Sequence, residues 1–289
     1  MDKVKAQALL AAQQNEITEY HVYMRLARRQ KNAANRAVLE RIAQDERRHA
    51  DFWANLTGVD VAPRRLAVWW YAFVARALGL MFAVKLMERG EEGAQRNYKR
   101  LSESVDEAAT LVQDESEHEK ELLAMLDEER LRYLGSVVLG LSDALVELTG
   151  ALAGLTLALA ETRLIAMVGL ITGIAAAMSM GASEYLSTKA DQGEGKTPVK
   201  AAVYTGTTYI FTVALLILPY LVAGNPLVAL GLTLSAALTL ILAFTYYVSV
   251  AKDLPLWSRF GEMAGLTVAV AAASFVIGYA VRFFFGIEA

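Results

Sequence analysis

The chain has 289 residues, a formal charge of −3, no cysteine and 55% hydrophobic residues. The missing thiol excludes disulfides, thiolate metal sites and cysteine nucleophiles, and the mild acidity gives no reason to expect a nucleic-acid partner. Charge is unevenly spread: residues 1–132 hold 43 of the 59 Asp, Glu, Lys and Arg residues and all three histidines, whereas 133–289 hold 16. This division predicts a soluble domain over 1–131 and a membrane domain over 132–289. The opening "MDKVKAQALL" lacks the charged-then-apolar layout of a cleavable signal peptide.

Four helices are predicted first, at about 3–30, 34–56, 66–101 and 104–131, all helix-rich and free of internal proline, with Pro63 between the second and third. The second and fourth carry the same hexamer pattern, "QDERRH" at Gln44–His49 and "QDESEH" at Gln113–His118. Glu at i and His at i+3 share a helix face and can reach one ion. Two such pairs plus a Glu from each of two other helices build the di-iron carboxylate site of ferritin-like bundles. The first and third helices supply those glutamates, because "EITEYHVYMRL" from Glu16 and "EEGAQRNYKRL" from Glu91 share Glu-x6-Tyr-x-Arg-Leu. The candidate ligands are therefore Glu16, Glu46, His49, Glu91, Glu115 and His118, and Glu88 shares a face with Glu91. His21 has no counterpart in the repeat and reads as an ordinary residue.

Residues 66–86, "LAVWWYAFVARALGLMFAVKL", are nearly apolar enough to span a membrane. Crossing there would place Glu16 and Glu46 opposite Glu91 and Glu115, and the site could not assemble. The segment reads instead as a surface-lying face or, by preference, a dimer interface. It would open one unbroken third helix of about 50 Å at 1.5 Å per residue, long enough for protomers to exchange hairpins.

Five apolar segments follow, near 134–158, 164–188, 200–222, 226–250 and 262–285, each close to or above the about 20 residues a span needs. Basic residues set the orientation. Arg130, Arg132, Lys189, Lys196, Lys200, Lys252 and Arg259 fall on one side, and Arg163 and Arg282 on the other, which predicts a cytoplasmic N-terminal domain and an outside C-terminus. Asp143 and Glu147 lie four apart on one helix face, as do Met180 and Glu184. Acids within spans are costly and normally face a partner or a water-filled path; Glu184 is near enough to an end for simple solvation to remain open. Carboxylates beside a thioether suit a divalent transition metal in passage.

"GLSDALVELTGALAGL" and "AAAMSMGASEYLSTKA" resemble the first two spans of the vacuolar iron transporter family. The resemblance runs from about residue 133 to the end. It implies a five-span, dimeric transporter of Fe²⁺, and often Mn²⁺, exchanging metal for protons, with path roles for Asp143, Met180 and Glu184; Glu147 is added from spacing alone. Plant members carry a glutamate-rich cytoplasmic insertion between spans two and three, where this chain has only "KADQGEGKTP". The motifs of residues 1–131 resemble the erythrin branch of the rubrerythrin group, which implies an extra ligand role for Glu88. The combination resembles membrane-bound ferritin proteins, which are associated with iron export and resistance to iron-dependent peroxide damage.

The expected architecture is all-α, a ferritin-like four-helix bundle followed by a five-helix transmembrane domain. The expected function is a proton-coupled Fe²⁺ transporter, moving metal out of the cytoplasm across the cell membrane as a homodimer in lipid. Its di-iron domain, which manganese or zinc could also occupy, collects, senses or oxidises iron. The alternative is a membrane-anchored di-iron ferroxidase or peroxidase. Acids inside the spans argue against it, since an anchor needs one helix and no charge.

Overall fold

Asn32 marks the first corner of the chain: its extended backbone leaves the side chain free to accept hydrogen bonds from the Ala34 and Asn35 amides, starting α2 (Ala33–Thr57) after α1 (Lys3–Ala27). Gly58 ends α2 at φ 71°, a left-handed position that costs glycine little. The computed structural model describes residues 3–87, 89, 114, 117–118, 120–122, 132–159, 161–191 and 195–285. The chain divides into two compact units, Met1–Glu128 and Glu129–Ala289. No strand occurs among the described residues.

In the first unit, α1 and α2 pack side by side through Val22, Tyr23, Leu26, Leu39 and Ile42. The turn after α2 is tied to α1 by polar side chains. The Gln13 amide donates to the Val59 carbonyl (2.8 Å), the Gln14 amide to the Ala62 carbonyl (3.2 Å), and the Arg64 amide to Thr18 Oγ1 (3.0 Å). Next comes α3 (Arg65–Leu78), which buries Val68, Ala72 and Val74 and leaves Leu66, Trp69, Trp70 and Phe73 exposed. The Arg25 guanidinium lies 3.8 Å from the Trp69 ring centroid.

The expected unbroken third helix is corrected here. α3 stops at Gly79 (φ 107°, ψ 154°), a conformation that a Cβ would strain, and helix resumes over 80–87. Its 14 residues reach about 21 Å, too short for about 30 Å of hydrocarbon. Val84, Met87 and Leu122 join the core of α1 and α2, so residues from the third and fourth sequence segments close the bundle.

The second unit contains α4 (Leu134–Leu159), α5 (Thr162–Ala190), α6 (Pro198–Val222), α7 (Pro226–Lys252) and α8 (Leu256–Phe285). These five, among the described residues, are long and apolar enough to cross a membrane. α4 packs against all four others, and small residues allow its approach. A Cβ on Gly140 would lie 2.4 Å from the Thr205 carbonyl oxygen of α6, and one on Gly278 of α8 would lie 2.2 Å from that of Gly154. Leu145, Leu152, Tyr209, Leu216 and Tyr220 fill the centre. There the Thr156 and Tyr220 hydroxyls hydrogen-bond at 2.6 Å, leaving neither without a partner.

Candidate functional site

Helical spacing brings Glu46 and His49 to one face of α2, and the packing of α1 against α2 sets Glu16 opposite them. All three are nearly solvent-free: Glu16 is 3% exposed, Glu46 1% and His49 4%. His118 is equally buried and joins them from a segment more than 60 residues later. Glu46 stands between the two imidazoles. Its Oε1 lies 3.2 Å from His118 Nδ1 and its Oε2 3.3 Å from His49 Nδ1, which is itself 3.8 Å from Glu16 Oε2. The two rings are 6.1 Å apart, centroid to centroid.

This donor set fits metal. Ligand atoms about 2.1 Å from a transition ion sit about 3 Å apart at right angles, close to the separations here. Glu46 Oε2 and His118 Nδ1 are buried and make no hydrogen bond, which disfavours a purely structural role. One carboxylate offering an oxygen toward each of two imidazoles is the layout of a bridging ligand. Glu16 is fixed from its other side, where Trp53 Nε1 donates to Oε1 (3.3 Å).

The outward nitrogens of both histidines are held crosswise. His49 Nε2 lies 3.1 Å from Asp114 Oδ2, and His118 Nε2 lies 3.0 Å from Asp45 Oδ2. Each aspartate belongs to one Gln-Asp-Glu-x-x-His hexamer and holds the imidazole of the other. With Nε2–H donating to the carboxylate, Nδ1 is the nitrogen turned to the site, and a metal ion bound there would take the place of its proton. Asp45 and Asp114 were not among the predicted site residues; the signal for them was the aspartate shared by both hexamers.

The cluster sets its own protonation. Burial lowers the His49 pKa, but the Glu16 and Glu46 carboxylates outweigh it and raise the value to about 11. Burial pushes Glu46 well above the usual carboxylate range. Asp45 is shifted down: burial opposes its charge, and hydrogen bonds from His118 and Arg48 overcome that. Glu88, Glu91 and Glu115 lie outside the described residues. His21 is exposed, packed edge-on against Tyr20.

In the membrane-spanning unit, Asp143 is half-buried and Glu147 exposed on α4. Tyr209 of α6, fully buried, donates its hydroxyl to Glu147 Oε2 at 2.9 Å. Glu184 of α5 accepts from Ser136 Oγ of α4 at 2.6 Å, and Met180, one turn earlier, packs partly buried against the core. Glu184 therefore meets α4 at Ser136, seven residues or about 10 Å of helix from Asp143, and Glu147 follows about 6 Å further on. Asp143 and Glu147 thus share a face of α4, and Met180 and Glu184 a face of the neighbouring α5. Tyr209 and Ser136 were also absent from the prediction, for each depends on which helices become neighbours.

Residues 4–58 match the protein-family model described as Rubrerythrin, which includes Glu16, Glu46 and His49. Residues 134–196 match the VIT family, which includes Asp143, Glu147, Met180 and Glu184. The chain thus joins a rubrerythrin-type segment to a VIT-family segment, in the order its motifs suggest. Among curated proteins, none matches the chain.

Proposed function

We propose that this chain, with a rubrerythrin-type segment ahead of a VIT-family membrane segment, exports Fe²⁺, and Mn²⁺, from the cytoplasm in exchange for protons. The observation that carries the reading is the series of acids inside apolar helices. Asp143, Glu147 and Glu184 occupy positions that a mere anchor would fill with apolar residues, and two of them are held by hydroxyls from neighbouring helices. Met180 adds a soft thioether, which favours iron and manganese over magnesium and calcium. Exchange follows from ligand chemistry: a carboxylate must lose its proton to take the ion, and regains one after release.

In the soluble unit, Glu16, Glu46, His49, Glu91, Glu115 and His118 would hold two iron ions, with Glu88 as a further ligand. A bound iron pair supplies redox chemistry toward O₂ or peroxide. What the chain's own residues do there is orient and exclude: the crossed aspartates fix both imidazoles, and Trp53 shields Glu16 from water. We assign the unit to collecting or sensing cytoplasmic iron, in place of the glutamate-rich insertion that the α5–α6 connection lacks. The basic residues flanking the spans favour an N-terminal unit in the cytoplasm of a cell-membrane protein. The exposed aromatic face of α3 suits contact between two copies of the chain.

The test is Fe²⁺ flux into liposomes holding the full-length protein, with internal pH followed alongside. Asp143→Ala is expected to abolish flux and leave binding in the soluble unit unchanged, whereas Glu46→Ala loses binding first. Wild-type protein that binds iron but moves none would leave the membrane-anchored di-iron enzyme as the better reading.

A further inference from the structure

Beyond Glu147 the series of acids stops, but the space does not. A cavity of about 490 Å³ begins at Glu147 and Tyr209 and runs between α4, α5 and α8. Its α4 wall extends from Glu147 through Ala151 and Leu155 to Ala158, toward the end of the unit where α4 passes to α5 and α8 finishes. Thr172 of α5 and Ser274 of α8 place hydroxyls along it.

We infer that this cavity is a water-filled vestibule through which the divalent cation leaves Glu147 for the far side of the membrane, with Tyr209 closing its inner end. The inference rests on the transporter reading above and gives it an exit. Three observations support it. Glu147 is exposed although it lies within an apolar span, and it lines this cavity. An ionised carboxylate facing lipid is costly, whereas one facing water is not. The volume holds more than a dozen waters at about 30 Å³ each, enough to rebuild a hydration shell. Finally, past Glu147 the walls offer only scattered hydroxyls and apolar surface. Within the cavity a departing ion meets no second carboxylate that would retain it, and conduction requires sites weak enough to leave.

At the closed end, Tyr209 is fully buried and hydrogen-bonded to Glu147, so its ring blocks the space behind the carboxylate. It acts as a positioning residue: it fixes Oε2 by a neutral donor and leaves the charge available to a cation.

The chain contains no cysteine, which makes the test direct. Ser274→Cys and Ala151→Cys, each the only thiol in full-length protein reconstituted in liposomes, are exposed to a membrane-impermeant cationic methanethiosulfonate. Val268→Cys, on an exposed position of α8 outside the cavity, is the control. The expected result is modification of both cavity thiols at least ten times faster than the control, slowed by millimolar Mn²⁺, with Mn²⁺ flux falling as modification proceeds. Cavity thiols as inert as the control would mean a dry or lipid-filled space and would overturn the vestibule. Modification that leaves flux unchanged would mean a dead end and overturn it equally. In both cases wild-type flux persists and the transporter reading stands. If wild-type protein moves no Mn²⁺ or Fe²⁺, both inferences fall together.

Discussion

Replacing Asp114 or Asp45 by Asn tests whether the crossed carboxylates set up the metal centre. Each substitution keeps the volume and removes the charge that holds an imidazole nitrogen at 3.1 or 3.0 Å. Carboxylates of this kind behind a histidine ligand are worth roughly 10–100-fold in metal affinity, about 1.4–2.7 kcal/mol. The two sites should not be equal. The Asp114 side chain is 40% exposed, so water screens it and its loss belongs near tenfold. The Asp45 side chain is 13% exposed and also pairs with Arg41 and Arg48, so its removal leaves guanidiniums facing a less hydrated His118. Its loss belongs near a hundredfold. Competition between full-length protein in detergent and a chromogenic chelator, with Mn²⁺ or Fe²⁺, would resolve the two binding steps. Asp114→Asn is expected to weaken the ion on His49, and Asp45→Asn the ion on His118. Because Glu46 touches both imidazoles, the double variant should depart from additivity by at least about 0.5 kcal/mol. Wild-type affinities in both single variants would refute the reasoning and reduce the aspartates to surface ion pairs.

With chelator present, the raised His49 pKa makes a signed prediction. Its stabilisation is complete below the unfolded value of 6.5 and is lost as pH rises toward about 11, by at most about 1.4 kcal/mol per unit. The N-terminal unit should therefore unfold at lower temperature at pH 9.5 than at pH 6.5, and Glu16→Gln should flatten the difference. Tyr209→Phe retains the buried ring and deletes one hydrogen bond to a carboxylate, a loss of about 1.5 kcal/mol and roughly tenfold in metal flux, with metal binding in the N-terminal unit unchanged. Gly278→Ala forces a methyl against the Gly154 carbonyl, and about 1–3 kcal/mol of destabilisation should appear as a lower melting temperature of the detergent-solubilised protein. Phe73→Glu on α3 should shift size-exclusion light scattering toward single protomers, and an unchanged mass would exclude that face as the contact.

Periodicity made the membrane spans legible, since about 20 apolar residues have few alternatives, and it misplaced only their ends. α8 starts at Leu256 instead of 262, because Pro255 cannot continue the preceding helix and its fixed φ suits the start of the next. The convergence of Glu16, Glu46, His49 and His118 was legible because the internal repeat duplicates both spacing and context. What repetition could not show was partnership. Asp45 stands beside Glu46 in sequence yet serves His118, 73 residues away, and that choice exists only once α2 lies beside the later segment. Gly79 was hidden for a different reason: a glycine inside a strongly helical stretch is usually tolerated at modest cost, and nothing local signals a φ of 107°.

The two sets of acids differ in how they are held. In the N-terminal unit Glu46 is 1% exposed and pressed between two imidazoles, and Glu16 is gripped by an indole, so an ion there would exchange slowly. In the membrane unit each held acid has one hydroxyl: Ser136 on Glu184 and Tyr209 on Glu147. Among the described residues no lysine or arginine makes an ion pair with Asp143, Glu147 or Glu184. A fixed cation there would have satisfied the carboxylate permanently and competed with any cargo. A hydroxyl donor orients the oxygen, lowers the cost of keeping it within the span, and leaves the negative charge unspent. Asp143 and Glu147, one turn apart on a single face of α4, are neighbours near enough to share an ion, and Glu184 meets α4 from α5 at Ser136.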